Sequence, residues 1–135
     1  MAEDNLIIVD TDMFSKDPAA KTAEANIVAK KYGISDKDLA EVEDYKKELT
    51  EHNAWDLPFM GYVNEDGYGY AYVPDQAITE TGWNAHKAFR AMPHDAQTAF
   101  AIRMLFTHRD ADRYGADMFL HYERGFNVRF EGAGS

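Results

Sequence analysis

At 135 residues and 45% hydrophobic, the chain is long enough to bury over ~60% of its unfolded surface around one core. It has no cysteine, which excludes disulfides and thiolate metal sites. The net charge of −10 is unevenly spread: residues 1–56 carry 14 acids against 7 lysines, residues 57–80 carry 4 acids and no base, and residues 81–135 carry 6 acids against 7 bases. Such a balance disfavours direct contact with nucleic acid or an anionic membrane, both of which call for clustered Lys and Arg.

The N-terminus, Met1-Ala2-Glu3-Asp4-Asn5, is acidic where a secretory signal would be basic and then apolar. The apolar run Leu6-Ile7-Ile8-Val9 is far shorter than the ~20 residues that span a bilayer. A soluble, cytoplasmic protein is the expectation. This β-branched run reads as a buried strand, followed by Asp10-Thr11-Asp12 and a connecting segment. Asp17 as N-cap and Pro18 at the first position open a helix to about Tyr32, with Ala25, Val28, Ala29 and Tyr32 on one face and Gly33 as its stop. Ser35 and Asp38 form a shortened capping box for a second helix over 36–52, with Leu39, Val42, Tyr45 and Leu49 as its apolar stripe.

Met60 to Val73 reads as a β-hairpin turning at Asn64-Glu65-Asp66-Gly67. A short helix is expected over Gly82–Met92. Pro93 opens another that is apolar nearly all round and forms the centre of the core. A last helix begins near Asp112, holds Tyr114, Met118 and Tyr122, and stops at Gly125. The alternation Phe126-Asn127-Val128-Arg129-Phe130 predicts a final strand with Phe126, Val128 and Phe130 inward. The fold class is therefore α+β, with mixed α/β also open. The expected form is a single small sheet of three to five strands, hairpin included, packed by four to five helices in one domain over 1–131. Residues 132–135 read as a flexible tail.

Three features bear on function. On the second helix Glu41, Asp44, Glu48 and Glu51 fall at i, i+3, i+7 and i+10, one line opposite the apolar stripe. Its three like-charge neighbours cost roughly 0.2–0.5 kcal/mol each, partly offset by Glu43 to Lys47 in the favourable i, i+4 order. Glu65, Asp66, Asp75 and Glu80 extend the acidic character. In the second feature, Tyr68, Tyr70 and Tyr72 alternate with Gly69, Ala71 and Val73, so a strand there presents three tyrosines on one face, a composition suited to interfaces. The third is Asp10 and Asp12 at the carboxyl end of an apolar strand, where α/β sheets gather ligands and metals.

The segment Ile7-Ile8-Val9-Asp10-Thr11-Asp12 resembles the opening of PIN-type nucleases and of nucleoside hydrolases. Nucleoside hydrolases continue with Gly and then a pair of Asp. Here Phe14 stands at the glycine position and only Asp17 remains of the pair. A PIN-like site implies further acids, from Glu43 and from Asp110 or Asp112. The five histidines, His52, His86, His94, His108 and His121, show no metal-binding spacing, although Asp117 and His121 at i, i+4 would share a metal or a hydrogen bond. No Gly-x-Ser-x-Gly elbow is present.

The leading expectation is a non-catalytic protein-binding module without a cofactor. Its binding residues would be Glu41, Asp44, Glu48, Glu51, Glu65, Asp66, Tyr68, Tyr70 and Tyr72. Its partner would be a basic protein, including one that normally binds nucleic acid and would be inhibited by imitation of phosphate charge, or the neighbouring subunits of an assembly. The alternative is a small metal-dependent hydrolase or nuclease centred on Asp10 and Asp12.

Overall fold

The computed structural model describes residues 5–55, 77–108 and 113–132. The first and last strands of the chain meet. β1 (Leu6–Asp10) pairs in parallel with β2 (Asn127–Glu131), in the register Ile7 to Val128 and Val9 to Phe130. Alternation places buried Ile7 and Val9 beside half-buried Val128 and Phe130, and leaves Ile8 and Arg129 facing out. Two parallel strands make a weak sheet alone, and helices supply the burial that they lack.

Between the strands run α1 (Pro18–Lys31), α2 (Asp36–Glu51), α3 (Ala85–Ala91), α4 (His94–Thr107) and α5 (Arg113–Met118), the last continuing as a π-helical turn over Phe119–Glu123. The arrangement is mixed helix and strand. Among the described residues the sheet has two strands, against an expectation of three to five, and the predicted hairpin over 60–73 lies outside the described residues. No helix of the described residues is long and apolar enough to cross a membrane.

Local chemistry sets the helix ends. The Asp17 carboxylate accepts from the Ala20 N–H at 2.8 Å, with Pro18 at the first helical position. Gly33 at φ +88° lets the chain turn back so that the Ile34 N–H reaches the Ala29 carbonyl. Ser35 accepts from the Asp38 N–H, and its own hydroxyl donates to the Asp38 carboxylate. Asn84 caps α3 through the Lys87 N–H, which starts that helix three residues after the predicted Gly82.

α4 is the central element, buried continuously from Ala96 to Phe106, and it packs on α1, α2 and α5. Tyr45 on α2 meets Phe100 on α4 edge-to-face at 4.9 Å, and its hydroxyl donates to the Ala85 carbonyl at 2.8 Å, locking α3 onto α2. The Gln97 amide donates to the carbonyls of Phe89, Arg90 and Met92, satisfying the end of α3 from within the core.

On the last helix Gly115, Ala116, Phe119 and Leu120 face the core, whereas Tyr114 and Tyr122 are exposed. Small residues at 115 and 116 allow close approach to α4, and large rings at 114 and 122 do not. Gly132, grouped by composition with a loose tail, packs against the end of β1: a Cβ there would lie 2.6 Å from the Thr11 Oγ1 and 2.8 Å from the Asp10 Oδ1. Residues 133–135 lie outside the described residues.

Candidate protein-docking groove

α2 presents different chemistry on its two flanks. Its apolar stripe, Val42, Tyr45 and Leu49, is fully buried, which orients everything else. On the flank towards α3, Glu41, Asp44 and Glu48 line a groove of about 360 Å³ together with Tyr45, Trp83, Ala88, Ala91 and Met92. Among the described residues no Lys or Arg lines it. Asp44 and Glu48 are exposed and Glu41 is half-buried. Among the described residues none of the three has an ion-pair partner. Trp83 is held rigidly by stacking on His52, with ring centroids 4.6 Å apart and planes 9° from parallel, while the His52 Nδ1 bonds the Thr81 hydroxyl at 2.7 Å. The groove thus has a carboxylate rim and an aromatic and thioether floor.

Of the residues marked from sequence, Glu41, Asp44 and Glu48 come together in this groove. Glu51 is exposed one turn further on, and borders instead an open depression of about 400 Å³ with Glu43, Lys46, Lys47, Thr50 and Trp55. Glu80 is exposed in the loop before α3. Glu65, Asp66, Tyr68, Tyr70, Tyr72 and Asp75 lie outside the described residues. Trp83 and Met92 carry the groove floor and were not singled out in the sequence. An aromatic residue just ahead of a short capped helix was the available signal.

The described arginines of the last third do not neutralise the acidic line. Arg124 bonds Asp95 at 3.0 Å and the His94 ring, and Arg129 pairs with Glu131 at 3.1 Å. Arg103 does reach α2, but on the other flank. It is 2% exposed and donates to the Glu43 Oε1 at 2.6 Å and to the Asn26 Oδ1 at 2.8 Å, tying α4 to α2 and α1. Glu43 also takes Lys46, at 3.7 Å, in place of the expected Lys47. Partial burial pushes the Glu43 carboxyl up. The Arg103 hydrogen bond and the charges of Lys46 and Arg103 outweigh it and hold the group below its ordinary value. Lys46 is pushed down by burial and by Arg103, only partly countered by Glu43.

At the strand end, the Asp10 Oδ1 accepts from the Asp12 N–H at 2.9 Å and caps the 3₁₀ turn Thr11–Ser15. That carboxylate therefore has a structural use. Among the described residues no three His, Asp or Glu side chains group as metal ligands. Glu43 is committed to Arg103, and Asp110 and Asp112 lie outside the described residues. Burial raises the Asp117 carboxyl despite the nearby His121 and Arg113. Compared with protein-family models, with curated proteins and with solved structures, the chain matches none.

Proposed function

We propose that this protein is a non-catalytic binding module whose α2–α3 groove receives a basic segment of a protein partner. The observation that carries the reading is the set of three carboxylates, Glu41, Asp44 and Glu48, without an ion-pair partner among the described residues, on the rim of a groove floored by Trp83 and Met92. A Lys or Arg side chain fits such a site twice over: its ammonium or guanidinium meets the rim, and its methylene stem covers the apolar floor. The face of Trp83 adds a cation–π contribution of about 0.5–2 kcal/mol.

Magnitudes favour a single basic segment over a broad phosphate-binding surface. From Glu41 to Glu51 the helix rises about 15 Å, so the line holds roughly one charge per 5 Å, against one per ~3.4 Å on each strand of B-DNA. Imitation of nucleic-acid charge, or docking within a larger assembly, remains a version of the same reading with more of the acidic surface engaged. A coherent acidic field of this kind raises association rates by ~10–10³ at low salt.

The experiment compares the wild type with E41Q/D44N/E48Q as baits in the source cell, at low and at high salt, followed by mass spectrometry. Partners captured by the wild type at low salt are expected to be lost both with the variant and at high salt. Equal capture by both baits, or capture indifferent to salt, contradicts the proposal.

A further inference from the structure

The opposite flank of α2 borders a half-open pocket of about 260 Å³ between the first turn of α1, the middle of α2 and the end of α4. Lys21, Thr22, Lys46, Trp55, Arg103 and His108 are among its walls, and among the described residues no Asp or Glu lines it. In a chain of net charge −10 this concentration of cations stands apart from the acidic groove and is independent of the reading given above.

We infer that this pocket is a phosphate-type oxyanion site, formed by Lys21, Lys46 and Arg103, with Trp55 beside it to take the organic part of a small phosphorylated ligand. Four observations support it. Arg103 is almost wholly buried yet among the described residues uses two of its N–H groups, on Glu43 and Asn26, so further donors stay available in a fixed orientation. Lys21 is half-buried at the mouth and makes no ion pair among the described residues. Among the described residues Glu43 is the carboxylate that pairs with these cations, 2.6 Å from Arg103 and 3.7 Å from Lys46, which leaves net positive charge that a bound dianion would offset. Trp55 is prepositioned: its ring stacks on His108 at 4.9 Å and its Nε1–H is held by the Thr50 hydroxyl at 3.0 Å. The volume lies just under the roughly 300–1,000 Å³ of drug-sized ligand sites, which limits the occupant to a compact molecule.

Trp55 also provides the readout. In a W83F background it is the sole tryptophan, and its fluorescence is titrated with inorganic phosphate, with adenosine monophosphate, and with sodium chloride at matched ionic strength. A saturable change with either phosphate and none with chloride is expected. Equal affinity for the two identifies a bare oxyanion site, and tighter binding of the nucleotide identifies an organic phosphate with its ring against Trp55. K21M and K46M, each checked for an unchanged circular dichroism spectrum, should weaken binding about tenfold. No saturable change with either phosphate, the same change with chloride, or full affinity in both lysine variants overturns the inference. K21M, at the exposed mouth, keeps the test decisive if K46M fails to fold.

Discussion

The two flanks of α2 carry the same kind of aromatic anchor in opposite electrostatic settings. On one side Trp83 stacks on His52 beneath three carboxylates that have no counter-charge among the described residues. On the other Trp55 stacks on His108 beside Lys46 and Arg103, where Glu43 compensates part of the charge. The difference is one of cost. Carboxylates on the α3 flank stay hydrated and repel one another mildly, so keeping them there lowers stability a little. The Arg103 guanidinium is out of water, so its partners Glu43 and Asn26 are needed for the helices to pack at all. Charge on one flank is available to a partner, and charge on the other is built into the fold.

The largest effect expected from breaking this contrast is at Arg103. R103A removes a large buried side chain and the tie between three helices, and should lower unfolding free energy by about 3–5 kcal/mol in chemical denaturation. R103M retains the volume and leaves the half-exposed Glu43 to Lys46 and water, so it should keep most of the stability that R103A loses and fall about 1–2 kcal/mol below the wild type. Retained stability in R103M with loss of oxyanion binding would show that the charge serves the pocket rather than the core.

E43A is expected to cost about 2 kcal/mol, less than for a fully buried pair because half of the Glu43 side chain is exposed and screened. The sign of its pH dependence is fixed by the depressed carboxyl. The stabilisation is complete above the ordinary value of 4.5 and is lost as pH falls through the lower folded-state value. The stability difference between wild type and E43A should therefore shrink below about pH 4.5 in acid unfolding followed by circular dichroism. A smaller effect of opposite sign belongs to Asp117, whose raised carboxyl penalises the fold as pH rises from 3.8 through its folded-state value. D117N should be more stable than the wild type at neutral pH in chemical denaturation, and should match it below that range.

Much of the helical frame was readable because it rests on local chemistry. Asp17-Pro18, Gly33 and the Ser35/Asp38 pair act within one turn of the backbone, and the predicted bounds of α1 and α2 stand within one residue of those observed. The pairing of β1 with β2 joins residues separated by almost the whole chain, and no short-range pattern encodes it. The acidic line was legible from spacing alone. The groove that it borders was not, since Trp83 and Met92 reach it through the packing of α3 on α2. Arg103 was hidden by its own helix: a run of apolar residues on all sides draws attention to the core, while the one charge inside that run marks where three helices meet. A charged residue amid continuous apolar sequence is the signal that would have revealed it.

The most direct measurement is urea unfolding of E41Q/D44N/E48Q beside the wild type, at low and at high ionic strength. If these carboxylates stand uncompensated and serve a partner rather than the fold, neutralising them should raise the unfolding free energy by up to about 1 kcal/mol at low salt, and the gain should fade as salt screens the repulsion. A variant less stable than the wild type at low salt would mean that the acidic rim is bound into the structure and is not a free docking surface.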